Sequence, residues 1–341
     1  AEEYIFKHAL LRDVIYETVL LKRRRVYHAQ IAAWLESHAG ERLDEYLRLI
    51  ARHYELAGQP IKAVAYLQQA GEAANQVSAY PDAIAALEQA LALLPEDDAA
   101  RRAPLLVALG YAYRQTSSYV VAIEHIEEAL DLARDVEMPH IEVAALNELS
   151  WAIMGQGRYA AGLSYLYEAL DLACEIGDRR GEALSQRHLA DIAYRQGRSE
   201  DAARHAQASL ALSTEVGDRH GVAYAHRVLG FAALLREEYE EAVRCHQRSY
   251  EAYQEVGDRW GMASCFINMG ETRRRQGKPR VAAQHYQKAL DIFREIDSPR
   301  GTAICVLNLG HAHAALGEDV TSQRYLREAL DIALDIESYA L

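Results

Sequence analysis

The chain has 341 residues, half of them hydrophobic, and a formal net charge of −13 at pH 7. This negative charge disfavours generic attraction to nucleic acid and to anionic membrane surfaces. The sequence shows neither a run of eighteen apolar residues nor an opening signal-peptide pattern, so we expect a cytoplasmic protein with neither a membrane nor a nucleic acid as partner.

The first 98 residues contain the less regular elements. Residues 1–40 hold a basic run, Lys22–Arg25, and are expected to form a helical adaptor. Residues 41–98 predict two overlapping helical hairpins that share a helix near 60–77. Their turn and packing positions are Tyr54, Gly58, Ala63 and Ala70 for one hairpin and Gly71, Ala83, Ala90 and Pro95 for the other. The segment Pro95–Pro104 predicts a bend or joint where the less regular elements meet the repeats of residues 99–341.

From residue 99 onward the sequence repeats with a period of forty residues. Linkers of the form Gly-Asp-Arg-x-Gly lie at 177–181, 217–221 and 257–261, and residues 297–301 are a degenerate copy. Glycines at 157, 197, 277 and 317 lie midway, and Glu237 takes the remaining place. Glycine favours the left-handed residue that ends a helix, and the Asp that follows is suited to cap the next one. The second glycine of each linker is expected to let neighbouring backbones approach closely.

Each glycine pair encloses about twenty residues with apolar positions at helical spacing. First helices are predicted at 103–116, 142–155, 182–196, 222–235, 262–276 and 302–316, and second helices at 119–136, 159–176, 199–216, 239–256, 279–295 and 319–337. A fixed period of this length is typical of stacked hairpins, a solenoid, rather than one globular core. Solenoids mostly bind partners and seldom catalyse.

Small residues recur where the two helices of each hairpin would cross. The three registers are Gly110, Ser150, Ala190, Gly230, Gly270 and Gly310; Ala122, Gly162, Ala202, Ala242, Ala282 and Ser322; and Ala129, Ala169, Ser209, Ser249, Ala289 and Ala329. This pattern resembles the tetratricopeptide repeat (TPR) in six units over residues 102–337. The resemblance implies an all-α, right-handed superhelical solenoid of TPR-like helix hairpins.

These repeats are about six residues longer than the usual 34. With their G-D-R-x-G linkers they look like the repeats of kinesin light chain and spindle-orientation adaptors. Asn308-Leu309-Gly310 matches the Asn-Leu-Gly core of that group, and Asn268-Met269-Gly270 nearly does. The other four units have Ala108, Glu148, His188 and Val228 in the Asn position.

A second resemblance concerns the N-terminal string. Residues 4–14, followed by Tyr16, Lys22–Arg25, His28 and Leu35, resemble the segment that joins the winged-helix end of STAND-type signalling ATPases to their TPR arm. In that family a histidine at the position of His8 reaches the phosphates of a bound nucleotide; Ala9 stands where the family has Asp. Together with the first residue, Ala1, the resemblance implies a fragment whose ATPase domain, with its ADP or ATP, lies upstream. This chain itself is expected to carry no cofactor.

The sequence lacks the common motifs for catalysis and metal binding. The sequence has no G-x-x-x-x-G-K-[ST], H-E-x-x-H or G-x-S-x-G motif and no zinc-type spacing of Cys and His, so we expect neither an enzyme nor a metal protein. The fourteen histidines read as ordinary residues of polar helix faces. Cys265 and Cys305 lie one repeat apart and are expected to fill the same buried position. The Lys22–Arg25 run has two interpretations, a solvated patch facing the missing domain or a nucleic-acid contact.

In a TPR superhelix the first helices line the concave face, and spacing around the small residue of each first helix selects the groove positions. They are Tyr111, Arg114, Asn147, Trp151, Arg187, Asp191, Tyr194, Arg195, Arg227, Phe231, Asn268, Glu271, Arg274, Arg275, Asn308 and His311. Arginine forks bind carboxylates, and aromatic faces supply buried area. The groove therefore predicts a protein or peptide partner, specifically an acidic one, or an anionic small molecule. The alternative is that these arginines pair with Asp191, Glu271 and other carboxylates of an empty groove.

The resulting functional hypothesis is the sensor arm of a larger STAND-type ATPase; the alternative is a freestanding adaptor that scaffolds proteins. Ile332, Ala333, Leu334 and Ile336 continue the apolar face of the last helix. Because terminal repeats need a polar outer face, we expect either further chain beyond this edge or self-association through it.

Overall fold

The computed structural model describes residues 16–339, which are almost entirely α-helical and contain no strand. The chain divides into two compact units, Ala1–Ala169 and Leu170–Leu341, whose boundary falls inside one helix. The predicted all-α fold of consecutive helix hairpins is confirmed. The divisions predicted at residues 40 and 98 follow sequence relationships and stay predictions.

In the N-terminal unit each helix packs on the next along the chain. The elements are α1 (Leu21–His38), a 3-10 turn (Gly40–Arg42), α2 (Leu43–Leu56), α3 (Pro60–Gln76), α4 (Tyr80–Ala92), α5 (Ala99–Gln115), α6 (Tyr119–Asp135) and α7 (Pro139–Gly155). Helix α8 (Tyr159–Ile176) contains the boundary between the units. Pro104 lies within α5, so the predicted bend is limited to residues 93–98.

Helix α1 belongs to the core of this unit. The hydroxyls of Tyr54 and Tyr66, on α2 and α3, both donate to Oε1 of Glu36, at 2.5 and 2.7 Å. Ala32 of α1 is fully buried against Tyr54 and its neighbours. One carboxylate thus ties three successive helices together.

The C-terminal unit contains four regular hairpins. Its helices are α9 (Arg179–Arg195), α10 (Ser199–Glu215), α11 (Arg219–Leu235), α12 (Tyr239–Glu255), α13 (Arg259–Arg275), α14 (Pro279–Glu295), α15 (Pro299–Ala315) and α16 (Asp319–Tyr339). Consecutive helices pack together, and the first helices α9 and α11 also contact each other directly. That contact places side chains of two successive repeats side by side.

The linker chemistry predicted from the sequence is confirmed. Gly177, Gly217 and Gly257 have φ near +70°. The carboxylates of Asp178, Asp218 and Asp258 accept hydrogen bonds from the backbone N–H three residues later, at 2.8–3.0 Å. Helices of 17 residues therefore begin directly after each cap, about three residues earlier than predicted.

The second glycine of the linkers at 257–261 and 297–301 has a role different from the one expected. A Cβ on Gly261 would lie 2.6 Å from the ring of Tyr253, and one on Gly301 would lie 2.2 Å from Phe293. The close neighbour is an aromatic side chain of the preceding helix, not another backbone. These glycines therefore make room for a ring.

Two serines, Ser209 and Ser249, lie in the third register of small residues. A hydroxyl is accepted there because a backbone carbonyl of the preceding helix is its hydrogen-bond partner. Ser209 Oγ donates to the carbonyl of Ala183 at 3.0 Å, and Ser249 Oγ donates to that of Ala223 at 2.7 Å. Both serines are fully buried. A buried hydroxyl that is hydrogen-bonded avoids the desolvation cost of an unpaired one.

Candidate functional site

Four of the predicted groove residues lie in the N-terminal unit. Arg114 Nε donates to Glu148 Oε2 at 2.9 Å, and both side chains are mostly buried. The guanidinium carbon of Arg114 also lies 5.1 Å from the ring centroid of Tyr111. Asn147 has no exposed surface and donates to the carbonyl of Val143 in its own helix at 2.9 Å. Trp151 is half-buried. This unit therefore offers an arginine that a carboxylate already neutralises.

Three of the predicted arginines in the C-terminal unit are paired. Arg195 Nε donates to Asp191 Oδ2 at 2.7 Å. The Nε atoms of Arg274 and Arg275 both lie 2.8 Å from oxygens of Glu271. For these three arginines the structure agrees with the alternative of internal ion pairs.

Arg187 and Arg227 behave differently, because an aromatic ring rather than a carboxylate is their neighbour. Their guanidinium carbons lie 5.0 and 4.0 Å from the ring centroid of Tyr224. The Nε atom of each is buried and has no hydrogen-bond partner. Within the described residues neither guanidinium makes an ion pair. A cation over an aromatic face gains about 0.5–2 kcal/mol without using the Nε–H as a donor to a carboxylate.

Asp191 is the only carboxylate that joins this group of side chains in the described part of the chain. It is 5% exposed, and its Oδ1 accepts a hydrogen bond of 3.2 Å from the Tyr224 hydroxyl. Its Oδ2 is occupied by Arg195. Burial raises the pKa of Tyr224, which keeps the phenol protonated as the donor. Three arginines with one carboxylate leave two positive charges. We call Arg187, Asp191, Arg195, Tyr224 and Arg227 the arginine cluster.

Aromatic side chains continue the arginine cluster along the same helices. The rings of Tyr194 and Phe231 stack with centroids 4.7 Å apart and planes 14° apart. The imidazole of His246 meets Phe231 edge-on, with centroids 5.3 Å apart. The sequence-predicted residues Arg187, Arg227, Tyr194 and Phe231 are thus brought together between α9 and α11.

Two residues of this site were missed by the sequence interpretation. Tyr224 was not selected, although it is the ring that both arginines share. His246 was counted among histidines of polar faces, but it is fully buried, and burial followed by the charge of Arg227 lowers its pKa to about 3. His188 is buried as well, so for these two the polar-face interpretation was wrong. The sequence did contain a signal for Tyr224, because it lies three positions before Arg227 on α11 and therefore on the same helix face.

With this geometry in place, the comparisons with known proteins decide the family. A family profile described as "Tetratricopeptide repeat" matches residues 142–215, 221–295 and 262–335. The chain belongs to the tetratricopeptide repeat family. The matched residues are more than half of the sequence and include the whole arginine cluster.

The solved structures that resemble this TPR chain agree on the fold. The Rap conjugation gene regulator of plasmid pLS20, in complex with the Phr* peptide, has a TM-score of 0.66 at 16% identity, over 84% of this chain and 77% of that one. The apo quorum sensor NprR from B. thuringiensis has a TM-score of 0.65 at 15% identity, over 95% and 91%. At such identities the likeness concerns the fold alone.

Two further similarities involve longer proteins. A STAND protein with a TPR sensor from Pyrococcus horikoshii has a TM-score of 0.58 at 13% identity; the match covers 98% of this chain and 56% of that one. An uncharacterised protein of Rhizobium meliloti (strain 1021) is 34% identical over 122 residues, 31% of this chain. The chain spans only 11% of that relative's length.

The remaining predicted positions lie apart from the arginine cluster's contacts. Asn268 and Asn308 are half-buried, and His311 is exposed. His8 lies outside the described residues. Among residues 16–339, no helix is long and apolar enough to cross a membrane, and no group of three or more His, Cys, Asp or Glu side chains is arranged to hold a metal ion.

The basic run lies on α1. Lys22, Arg23 and Arg25 are exposed, whereas Arg24 Nε donates to the carbonyl of Val19 at 2.7 Å, and its NH2 group pairs with Glu17 at 3.1 Å. Three exposed cations agree with the interpretation as a solvated patch.

Proposed function

We propose that this TPR chain is a non-catalytic binding module that holds an acidic protein or peptide segment at the arginine cluster. The observation that carries the proposal is the unpaired Nε of both Arg187 and Arg227, each held against Tyr224. The other groove arginines already have carboxylate partners. A carboxylate from outside would pair with these two guanidinium groups.

The chemistry of the cluster favours a carboxylate-bearing ligand. Guanidinium groups bind carboxylates through two parallel hydrogen bonds, and the planar fork loses little entropy when stacking already holds it. Tyr194 and Phe231 supply aromatic surface beside the charges. An anionic small molecule would satisfy the same donors. The overall charge of −13 means that attraction is local to this cluster and is weakened by salt.

We further propose that the module is the sensor arm of a larger STAND-type signalling ATPase. The resemblance of the N-terminal string to the segment before a TPR arm supports this role, and so does the fold likeness to a STAND protein with a TPR sensor. In such an arm the bound cue would shift the ATPase between two states. That shift requires the cue to bind the two states with different affinity.

Titration calorimetry with an unlabelled decapeptide of alternating glutamate and leucine tests the binding site. We expect the double variant Arg187→Gln/Arg227→Gln to bind at least tenfold more weakly than the wild type. The matched control Arg274→Gln/Arg275→Gln removes two arginines that Glu271 already pairs, and it should change affinity less than threefold. Circular dichroism verifies folding. Equal losses in both variants, or no binding by the wild type, would refute the site.

The role as a sensor arm needs a separate experiment. The native protein, tagged at its own C-terminus, is purified from its source and analysed by mass spectrometry. A chain far above 38.2 kDa with bound ADP supports the arm. A chain close to that mass with a stoichiometric protein partner contradicts the arm and supports a freestanding adaptor.

A further inference from the structure

A pocket of about 450 Å³ opens in the C-terminal unit next to the arginine cluster. It lies between the start of α9, the end of α10 and the start of α11. Its lining residues are Arg180, Ala183, Leu184, Arg187, Ser213, Asp218 and Gly221. The volume falls within the range of small-ligand sites, and Arg187 belongs both to this pocket and to the cluster.

The same position is filled in the two repeats that follow. Forty residues on, His220 and Tyr253 meet edge-on, with ring centroids 6.1 Å apart. Forty residues further, Trp260 and Phe293 do the same at 6.0 Å. In the repeat with the pocket, the corresponding residues are Arg180 and Ser213. An aromatic pair is thus replaced by a flexible cation and a small hydroxyl side chain.

The glycine on which the ring would lie is still present. Gly261 and Gly301 leave room for Tyr253 and Phe293, because a Cβ on either glycine would lie within 2.6 Å of the ring. Gly221 holds the equivalent place, where a Cβ would lie 2.3 Å from the Ser213 hydroxyl and from Asp218 Oδ2, so only the outer part of the ring position is unfilled. The pocket is therefore an aromatic position of the repeat without its aromatic side chain. We call it the vacated slot.

The polar groups of the vacated slot determine which ring would fit. The buried Nε of Arg187 has no partner, and the exposed Arg180 lies at the rim. Asp218 is the opposing charge, and its Oδ1 already accepts the N–H of Gly221 at 2.9 Å. The slot thus combines the apolar side chains of Ala183 and Leu184, the Ser213 hydroxyl, two cations and one carboxylate that is occupied as a helix cap. This combination suits a planar ring that carries an anion.

We infer that the vacated slot binds an aromatic carboxylate, with the ring against Ala183 and Leu184 and the carboxylate against Arg187. Arg180 would close over the ring as a cation over its face. The ligand is either a free aromatic acid or the C-terminal aromatic residue of a peptide, which carries the same two groups. The inference rests on the proposed function only in sharing Arg187.

Calorimetric titration with 4-hydroxyphenylacetate tests the inference. Two substitutions at one position form a matched pair: Ser213→Phe restores the ring of the neighbouring repeats and should reduce affinity at least tenfold. Ser213→Ala keeps the slot open and should change affinity less than twofold. Arg187→Gln should weaken the acid at least tenfold but weaken 4-methylphenol, which lacks the carboxylate, less than threefold.

Two peptides distinguish the sources of the ligand. A pentapeptide that ends in tyrosine with a free carboxylate should compete with 4-hydroxyphenylacetate if the slot recognises a chain terminus, whereas its C-terminally amidated form should not. Competition by neither peptide assigns the slot to free acids. Because Ser213→Phe fills a position where the fold accepts Phe293, we expect it to fold with an unchanged or higher melting temperature.

The inference is overturned if the wild type does not bind the acid, or if well-folded Ser213→Phe binds it as the wild type does. Failure of the proposed function is recognised separately. Arg227→Gln should weaken only the acidic decapeptide, and Ser213→Phe should weaken only the aromatic acid. If Arg227→Gln leaves the affinity for the decapeptide unchanged, the proposed function is wrong; if Ser213→Phe leaves the affinity for the aromatic acid unchanged, the inference about the slot is wrong.

Discussion

Gly230 and His246 face each other across the hairpin formed by α11 and α12. A Cβ on Gly230 would lie 2.4 Å from Cε1 of the imidazole. In the preceding repeat the corresponding residues are Ala190 and Ala206, both small and both buried. The glycine in the first helix thus makes space for the larger side chain sixteen positions later, and the two positions are a matched pair.

Gly230→Ala should therefore destabilise the protein by about 1–3 kcal/mol, because the added methyl group must displace a buried ring. Urea denaturation measures this change. The double variant Gly230→Ala/His246→Ala reproduces the pair of the preceding repeat and should recover most of the lost stability. A single variant within 0.5 kcal/mol of the wild type would show that the packing adapts freely.

Glu237→Gly should stabilise the protein by about 0.5–1 kcal/mol. Glu237 has φ of 60°, a left-handed conformation that costs a residue with a Cβ more than it costs glycine. Glycine occupies the equivalent turns at 197 and 277 with φ of 73° and 78°. Thermal denaturation gives the sign, and Gly277→Ala is the reverse control, expected to lower the melting temperature. A lower melting temperature for Glu237→Gly would contradict this account.

The stability of the protein should fall with decreasing pH in a way that depends on His246. Burial and the charge of Arg227 lower its pKa from the ordinary 6.5 to about 3, so between these values the unfolded chain binds a proton that the folded chain does not. The free energy of unfolding therefore decreases as pH falls below 6.5, by at most about 1.4 kcal/mol per pH unit from this group.

Urea titrations of the wild type and of His246→Gln at several pH values from 7 to 4 measure this contribution. The difference between the two proteins isolates His246 from other histidines with lowered pKa, such as His226 and His285. We expect the wild type to lose more stability than the variant across this range. Parallel curves would mean that the imidazole titrates normally.

One thiol should react rapidly in the native protein. Cys174 is exposed, whereas Cys245, Cys265 and Cys305 are buried. Burial raises the pKa of all four thiols, that of Cys245 and Cys265 to about 11 and that of Cys305 to about 12, so the exposure of Cys174 is what distinguishes it. At pH 8 a disulfide reagent should modify one equivalent quickly and four in denaturant. Cys174→Ser should abolish the fast phase; a fast phase that persists would place the reactive thiol elsewhere.

Much of the fold follows from local chemistry that can be read in the sequence. The cap formed by Asp258 and the left-handed turn at Gly257 depend on residues within a few positions of each other. The pairing of Arg274 and Arg275 with Glu271 follows the same spacing rule, since the carboxylate lies three and four positions earlier. The turns and caps were predicted from the sequence, and the internal ion pairs were given there as the alternative to ligand binding.

The arginine cluster was only partly predictable, because it depends on contacts between repeats. Arg227 has no carboxylate three or four positions away on either side, a signal that it would lack a local partner. That Tyr224 lies between Arg227 and Arg187 depends on how α9 packs on α11. The burial of His246 likewise depends on Gly230 in the opposite helix.

The arginine cluster takes Arg187 and Asp191 from one repeat and Tyr224 and Arg227 from the next. It therefore forms only when these two repeats are adjacent, and no single repeat contains it. Recombination that inserted a forty-residue unit between these two repeats, or exchanged one of them, would keep the turns, the caps and the helix lengths. It would also separate the residues of the cluster. The fold therefore tolerates reshuffling that the site does not, and binding specificity can change in this array without a substitution at any position.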